Sequence, residues 1–274
     1  GVFLKQQTGR TATTRGAVLA AGVLAAACVA TLGAGTAIAD PAAPVDGAAK
    51  ACVTVKQLVP RAKCAYSYLP GIEARERDMT GINLSHSNLT DASLDGSNLT
   101  DGILTDADLT GASLDYAVMP NAKLHAAQLP GASLIQANLT SADLSDTNLT
   151  DAYLAYADTE GIKLTGANLT RVDLSSTNLT GADLTAMNLT RAGLASTNLT
   201  HAKLGRTKLS DAFLGSANLA GADLAGANLY GAYLASANLT GADLTDTNLT
   251  DTNLSGATWT DGRICAEDSI GQCN

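Results

Sequence analysis

The side chains able to carry acid–base or metal chemistry are few and scattered. His86, His125 and His201 are the three histidines, the groups that titrate nearest neutral pH. Ser and Asp are abundant, but they recur at fixed offsets, so a Ser–His–Asp grouping would arise from repetition alone. No Gly-x-x-x-x-Gly-Lys phosphate loop, Gly-x-Gly-x-x-Gly dinucleotide fingerprint or Gly-Gly-x-Gly-x-Asp calcium repeat occurs. The cysteines include no Cys-x-x-Cys pair, the usual dithiol redox motif. Asp columns could bind calcium loosely, and Asp95 stacked under Asp115 is one candidate. This inventory predicts a protein that is not an enzyme, with no catalytic residues, no cofactor and no resident metal.

The elements that must position these groups repeat every five residues from Ile82 to Thr260. Each unit reads small residue, Asn or Asp, then Leu, as in Ala167-Asn168-Leu169 and Ala182-Asp183-Leu184. Steps of five from Leu84 to Trp259 give 36 centres, all Leu except Met119, Thr159 and Trp259. A helix would rotate successive Leu side chains by roughly 140° and wind them around its whole surface. A straight strand would send alternate Leu side chains to opposite faces, because five is odd. The chain must therefore bend once per unit so that every Leu points inward. Four bends close a square coil of about 20 residues, and coils stack at roughly 4.8 Å. The centres from Leu84 to Trp259 supply about nine coils, a rod roughly 43 Å long. Gly, Asp and Asn after the centre suit corners that need positive φ.

The A(D/N)LXX pattern resembles the pentapeptide repeat family over roughly 180 of 274 residues. That resemblance implies an all-β fold, a right-handed quadrilateral β-helix. It implies no single function, since the family hosts several. Some of its members imitate B-DNA in shape and charge and bind DNA gyrase. That reading, a gyrase- or topoisomerase-binding DNA mimic, is the alternative here. Against it stand the almost pure Leu centres, a short Cys-bearing tail and an export signal.

Residues 1–39 read as that signal: basic Lys5, Arg10 and Arg15, an apolar stretch from Gly16 to Gly35, then Ala37-Ile38-Ala39 before Asp40. Cleavage after Ala39 predicts a secreted or extracytoplasmic protein with no transmembrane segment in its mature chain. Losing those three residues leaves 14 basic against 26 acidic side chains, a net charge of −12. That acidity argues against direct nucleic-acid binding. Four cysteines remain, and an even number in an exported chain predicts disulfides. Three pairings are open. Cys52–Cys64 and Cys265–Cys273 are preferred because each pair sits in its own terminus. The expected organisation is a signal peptide (1–39), an N-terminal cap (40–80), the β-helix (81–260) and a C-terminal cap (261–274). Trp259 would act as a lid.

Residues 20 apart should stack in columns. Lys123, Asp143, Lys163, Asp183, Lys203 and Asp223 would form a charge ladder, and the column Asp151, Arg171, Arg191 and Asp211 would offer two favourable contacts and one repulsive one. The Asn columns, such as Asn178, Asn198, Asn218 and Asn238, would stack their amides. Ten Asn-Leu-Thr triplets match the glycosylation sequon but follow from the repeat itself. Two sets of outward aromatics, Tyr116, Tyr153 and Tyr156, then Phe213, Tyr230 and Tyr233, are the candidate binding surface. The sequence thus predicts a secreted scaffold or binding module of the cell envelope or exterior. Its partner would be a protein or glycan, and the rod itself a monomer or weak dimer.

Overall fold

The structure, a computed structural model, describes residues 51–274. The leader and cleavage site expected over residues 1–39 lie outside the described residues. Every unit contributes a short extended segment and a corner. Around Leu109, Ala107 and Leu109 point inward and are fully buried, while Asp108 faces out. Asp108 pairs in parallel with Asn88 on the preceding coil and Gln128 on the following one. Parallel pairs of residues 20 apart run from Lys63–Asn83 to Asn238–Thr258, so the coil has the length read from the charge columns.

Three backbone bonds per unit join successive coils. For Leu109 they are its own N–H to the Gln128 carbonyl (2.7 Å), Gly111 N–H to Pro130 (2.9 Å) and Gln128 N–H to Ala107 (2.9 Å). The turn closes through Ala112 N–H to the Leu109 carbonyl at 3.0 Å. The second corner residue is left-handed, as at Asp91 (φ 55°), Asp101 (φ 57°) and Gly111 (φ 66°). Asp, Asn and Gly tolerate that region best. The outward Asn or Asp also stabilises its own corner. Asn98 Oδ1 accepts from both the N–H (3.1 Å) and the hydroxyl (2.6 Å) of Thr100. Asn-Leu-Thr is therefore a corner motif, a side chain fixing the turn that follows it.

The four faces are numbered by their centres: first Leu84, Leu104 and Leu124; second Leu89, Leu109 and Leu129; third Leu94, Leu114 and Leu134; fourth Leu99, Met119 and Leu139. Each column of centres is buried up to its last coil, so the core is a Leu stack with mostly Ala, Ser and Thr filling the space beside it.

The ladder begins one coil earlier than the Leu pattern suggests. Cys64, Leu69, Ala74 and Met79 occupy the four centres of that coil, all buried. The N-terminal cap expected over 40–80 thus gives way to coil by Lys63. Its described remainder is a short 3₁₀ helix, Val55–Gln57, followed by buried Leu58. Cys52 bonds to Cys64 with their Cα atoms 4.9 Å apart, which ties the cap to the first coil. At the other end the chain folds back antiparallel, pairing Ile264 with Thr258 and Ile270 with Asn253. Cys265 bonds to Cys273, Cα atoms 4.8 Å apart. This return covers the ends of the third and fourth faces, and Trp259 packs half-buried against the core. Leu244 and Leu249, on the first and second faces, are left only partly covered.

Candidate binding face

The chemistry-bearing groups stay apart in the folded rod. His86 stacks on Tyr66 with ring centroids 4.7 Å apart, and its Nδ1 lies 3.6 Å from Asp106. His125 approaches Ser145 (3.1 Å) and Asp146 (3.7 Å). His201 lies across Gly221, where a Cβ would fall 2.5 Å from its Nδ1. The Asp95 and Asp115 carboxylates are already engaged. Asp95 Oδ1 accepts from the Ser113 hydroxyl and Asp115 N–H, and Asp115 Oδ1 accepts from the Ser133 hydroxyl (2.5 Å) and Ile135 N–H (3.0 Å). Among the described residues no group of three or more His, Cys, Asp or Glu side chains converges as a metal site would require.

The column register is as the sequence implied, but the side chains use it less than expected. In the Lys/Asp column only Lys203 and Asp183 pair directly, at 3.4 Å. Asp143 and Asp183 turn to their own corners, toward Ser145 and Thr185. The Asn amides behave likewise. Asn238 reaches Asn218 (3.1 Å) and Asn248 reaches Asn228 (2.9 Å), but most Asn Oδ1 atoms bond within their own unit. A bond two residues away closes a smaller loop than one to the next coil, so the local partner wins. In the second column Arg171 grips Asp151 bidentately (2.6 and 2.7 Å), and Arg191 lies 3.7 Å from Asp211.

These corner bonds have a pH consequence. Hydrogen bonds from Thr80, Ser145, Thr185 and Thr245 hold Asp78, Asp143, Asp183 and Asp243 below the usual carboxylate range. A depressed folded pKa contributes stability that is present above the unfolded value, about pH 4, and lost as pH falls through the folded one. Thermal unfolding followed by circular dichroism should shift to lower temperature between pH 5 and pH 3. A variant with Asn at all four positions should shift less, because Asn holds the same corner without titrating.

The aromatics give the rod its one distinctive surface. Tyr153, Phe213 and Tyr233 project from the third face. Tyr230 stands at the corner leading into it, and Tyr116 and Tyr156 at the corner leading out. All six are 44–62% exposed. The two sets separated in the sequence therefore share one side of the rod, divided by Asp173 and Gly193. Phe213 and Tyr233 are paired on adjacent coils. Tyr233 lies over Gly215, where a Cβ would sit 3.1 Å from its ring. Ile270, 49% exposed and paired with Asn253, extends the apolar face into the C-terminal return. The repeat pattern gave no signal for Ile270, because it lies outside the repeat and its register depends on the antiparallel return.

The sequence model for pentapeptide repeats matches eight times, in overlapping segments that together run from residue 78 to 256. The chain belongs to the pentapeptide repeat family. Its fold is the family's right-handed quadrilateral β-helix. Among solved structures, this pentapeptide repeat protein is similar to HetL from the cyanobacterium Nostoc sp. strain PCC 7120, a protein involved in heterocyst differentiation regulation. The identity is 37% over 71% of this chain and 90% of that one, with a TM-score of 0.53. It is also similar to a pentapeptide repeat protein of the Arabidopsis thaliana thylakoid lumen, with 26% identity over 43% of this chain and 71% of that one, TM-score 0.25. The plasmid-mediated fluoroquinolone resistance protein QnrB1 shares 16% identity over 71% and 89% of the respective chains, TM-score 0.27. No curated protein matches. Among the described residues, no helix is long and apolar enough to cross a membrane.

Proposed function

We propose that this pentapeptide repeat protein is a non-enzymatic binding scaffold that docks a protein or glycan partner on its third face. We place its work outside the cytoplasm, in the cell envelope or beyond it. The observation that carries the reading is the confinement of all six exposed aromatic side chains among the described residues to one face and its two borders. Tyr and Phe at such density supply large contact area at low conformational cost. A narrow Leu-filled coil has no structural need of them, since its core is complete without them. The paired charges Asp151–Arg171 and Arg191–Asp211 border this face and leave little free charge beside it. Export is supported by the leader sequence and agrees with the two disulfides.

The DNA-mimic alternative has less support. A mimic of the duplex needs free carboxylates in regular rows, and here Asp151, Asp183 and Asp211 face Arg171, Lys203 and Arg191.

The test uses immobilised protein against envelope fractions and against defined soluble glycans. A Tyr153→Ser/Tyr156→Ser variant and a Phe213→Ser/Tyr233→Ser variant serve as comparisons. The expected result is capture by the parent protein that falls at least about tenfold in one or both variants, each melting within a few degrees of the parent. Capture that survives in both variants overturns the third-face assignment. N-terminal sequencing of the natural product should begin at Asp40; a full-length cytosolic chain overturns the extracytoplasmic placement.

A further inference from the structure

The ladder between coils is complete along the described rod except at one place. The units centred on Thr159 and Leu164 make none of the three backbone bonds to the next coil that other units make. The unit centred on Leu169 keeps one, Arg171 N–H to the Thr190 carbonyl at 3.0 Å. The parallel pairs expected between Asp158 and Asn178 and between Lys163 and Asp183 are missing. Two openings occupy the gap. One, of about 520 Å³, lies between Thr159–Ile162 and Asn178–Asp183; the other, of about 350 Å³, lies between Gly166–Asn168 and Thr185–Asn188.

The gap is not uniform around the coil. On the third face the ladder holds, through Leu154 N–H to Asp173 (2.7 Å), Tyr156 N–H to Ser175 (3.0 Å) and Asp173 N–H to Ala152 (2.9 Å). Bonds are lost on the fourth, first and second faces, and the first face lies opposite the third. Separation that vanishes on one face and involves the opposite one is a rotation about the intact face, rather than a sliding apart.

Three side chains on the lips depart from the repeat. Thr159 stands where other coils bury Leu or Met, and its hydroxyl donates to the Asn178 carbonyl at 2.8 Å. That carbonyl is the acceptor Thr159 N–H would use in a regular unit. Ile162 and Met187 occupy inward positions that neighbouring coils fill with Ala or Thr: Ala142 and Ala182 beside Ile162, Ala167 and Thr207 beside Met187. Extra volume at a tight inward site pushes neighbours apart. Ile162 and Ala182 are only partly buried, whereas Ala142 and Ala202 in the same column are fully buried.

We propose that the rod is two cooperative bodies joined by a hinge along the third face, with a seam that opens and closes between residues 157–170 and 176–189. In a solenoid each coil is stabilised by its neighbours, so a coil boundary stripped of ladder bonds is where coupling is weakest. The Thr159–Asn178 bond acts as the remaining latch on the fourth face. Opening turns the third face concave and closing straightens it. The hinge stands on the ladder geometry and does not rest on the binding role proposed for that face.

Hydrogen exchange with mass spectrometry on the disulfide-intact chain tests this, together with a Lys163→Cys/Asp183→Cys variant. Both substituted positions are exposed. Amides of Gly161, Leu164, Gly166 and Asp183 should exchange roughly 100-fold or more faster than their counterparts Ser141, Leu144, Asp146 and Lys203 one coil away. Mild oxidation should cross-link the new cysteines, because closure brings their Cα atoms to about the 4.8 Å ladder spacing, within disulfide range. In the cross-linked protein the seam amides should slow toward the values of those counterparts. Equal protection of both sets in the unmodified chain overturns the seam. Fast seam exchange without cross-linking shows a fixed gap and overturns the hinge.

Discussion

In a Leu204→Asp variant the rod will lose its cooperative unfolding transition and expose core on both sides of residue 204. Leu204 is fully buried, stacked between Leu184 and Leu224, and its N–H bonds the Asp223 carbonyl at 2.7 Å. An aspartate there has no partner charge, and an unpaired buried carboxylate is among the most destabilising changes a core can receive. The milder Leu204→Ala should cost about 2–5 kcal/mol, because the stacked coils above and below cannot collapse into the space. Leu249→Ala, in the partly covered last coil, should cost less than half as much. Urea unfolding followed by far-ultraviolet circular dichroism separates these outcomes. Equal losses at the two sites would show that the coils are not coupled as a stack.

Removing the terminal disulfide through Cys265→Ser/Cys273→Ser should lower stability by about 2–4 kcal/mol and make the protein self-associate. The bridge pins a return that caps two faces, through Leu254 N–H to Ser269 (2.9 Å), Gly256 N–H to Cys265 (3.1 Å) and Trp259 N–H to Arg263 (2.7 Å). Once that return frays, unpaired amides and carbonyls and the core beneath Leu254 and Ala257 face solvent. An exposed parallel edge of this kind pairs with another copy. Light scattering over a concentration series should show assembly in the variant and none in the parent. The Cys52–Cys64 bridge predicts a smaller association effect, since buried Leu58 and the short helix cover that end independently.

Much of the candidate site could be read along the chain, and the missing part has a physical cause. Counting by 20 placed Phe213 beneath Tyr233 and Tyr116 in line with Tyr156. The same count puts Tyr153 in the column of Phe213 and Tyr233, and only the flanking of that face by Tyr116, Tyr156 and Tyr230 needed the corner geometry. Ile270 joined the surface through an antiparallel pairing that no period encodes. The charge and amide ladders form less completely than register implies, for a related reason. Register places Lys163 above Asp143, but a carboxylate chooses among all nearby donors, and Ser145 is closer along the chain.

The five-residue period determined the square coil, its inward Leu stack and the 20-residue register, because no other backbone path sends every Leu to one axis. The cysteines, paired within each terminus, suggested the bridges that the structure contains. Only the tertiary structure decided where the winding starts, with Cys64 and Ala74 serving as centres that do not look like Leu. It alone showed that Met119 leaves the ladder closed, with its N–H 2.8 Å from the Asn138 carbonyl, while Thr159 lies at an open one. Both residues break the pattern equally on paper. The difference lies in volume and hydrogen bonding across coils, set by what Thr159, Ile162 and Met187 meet 20 residues away.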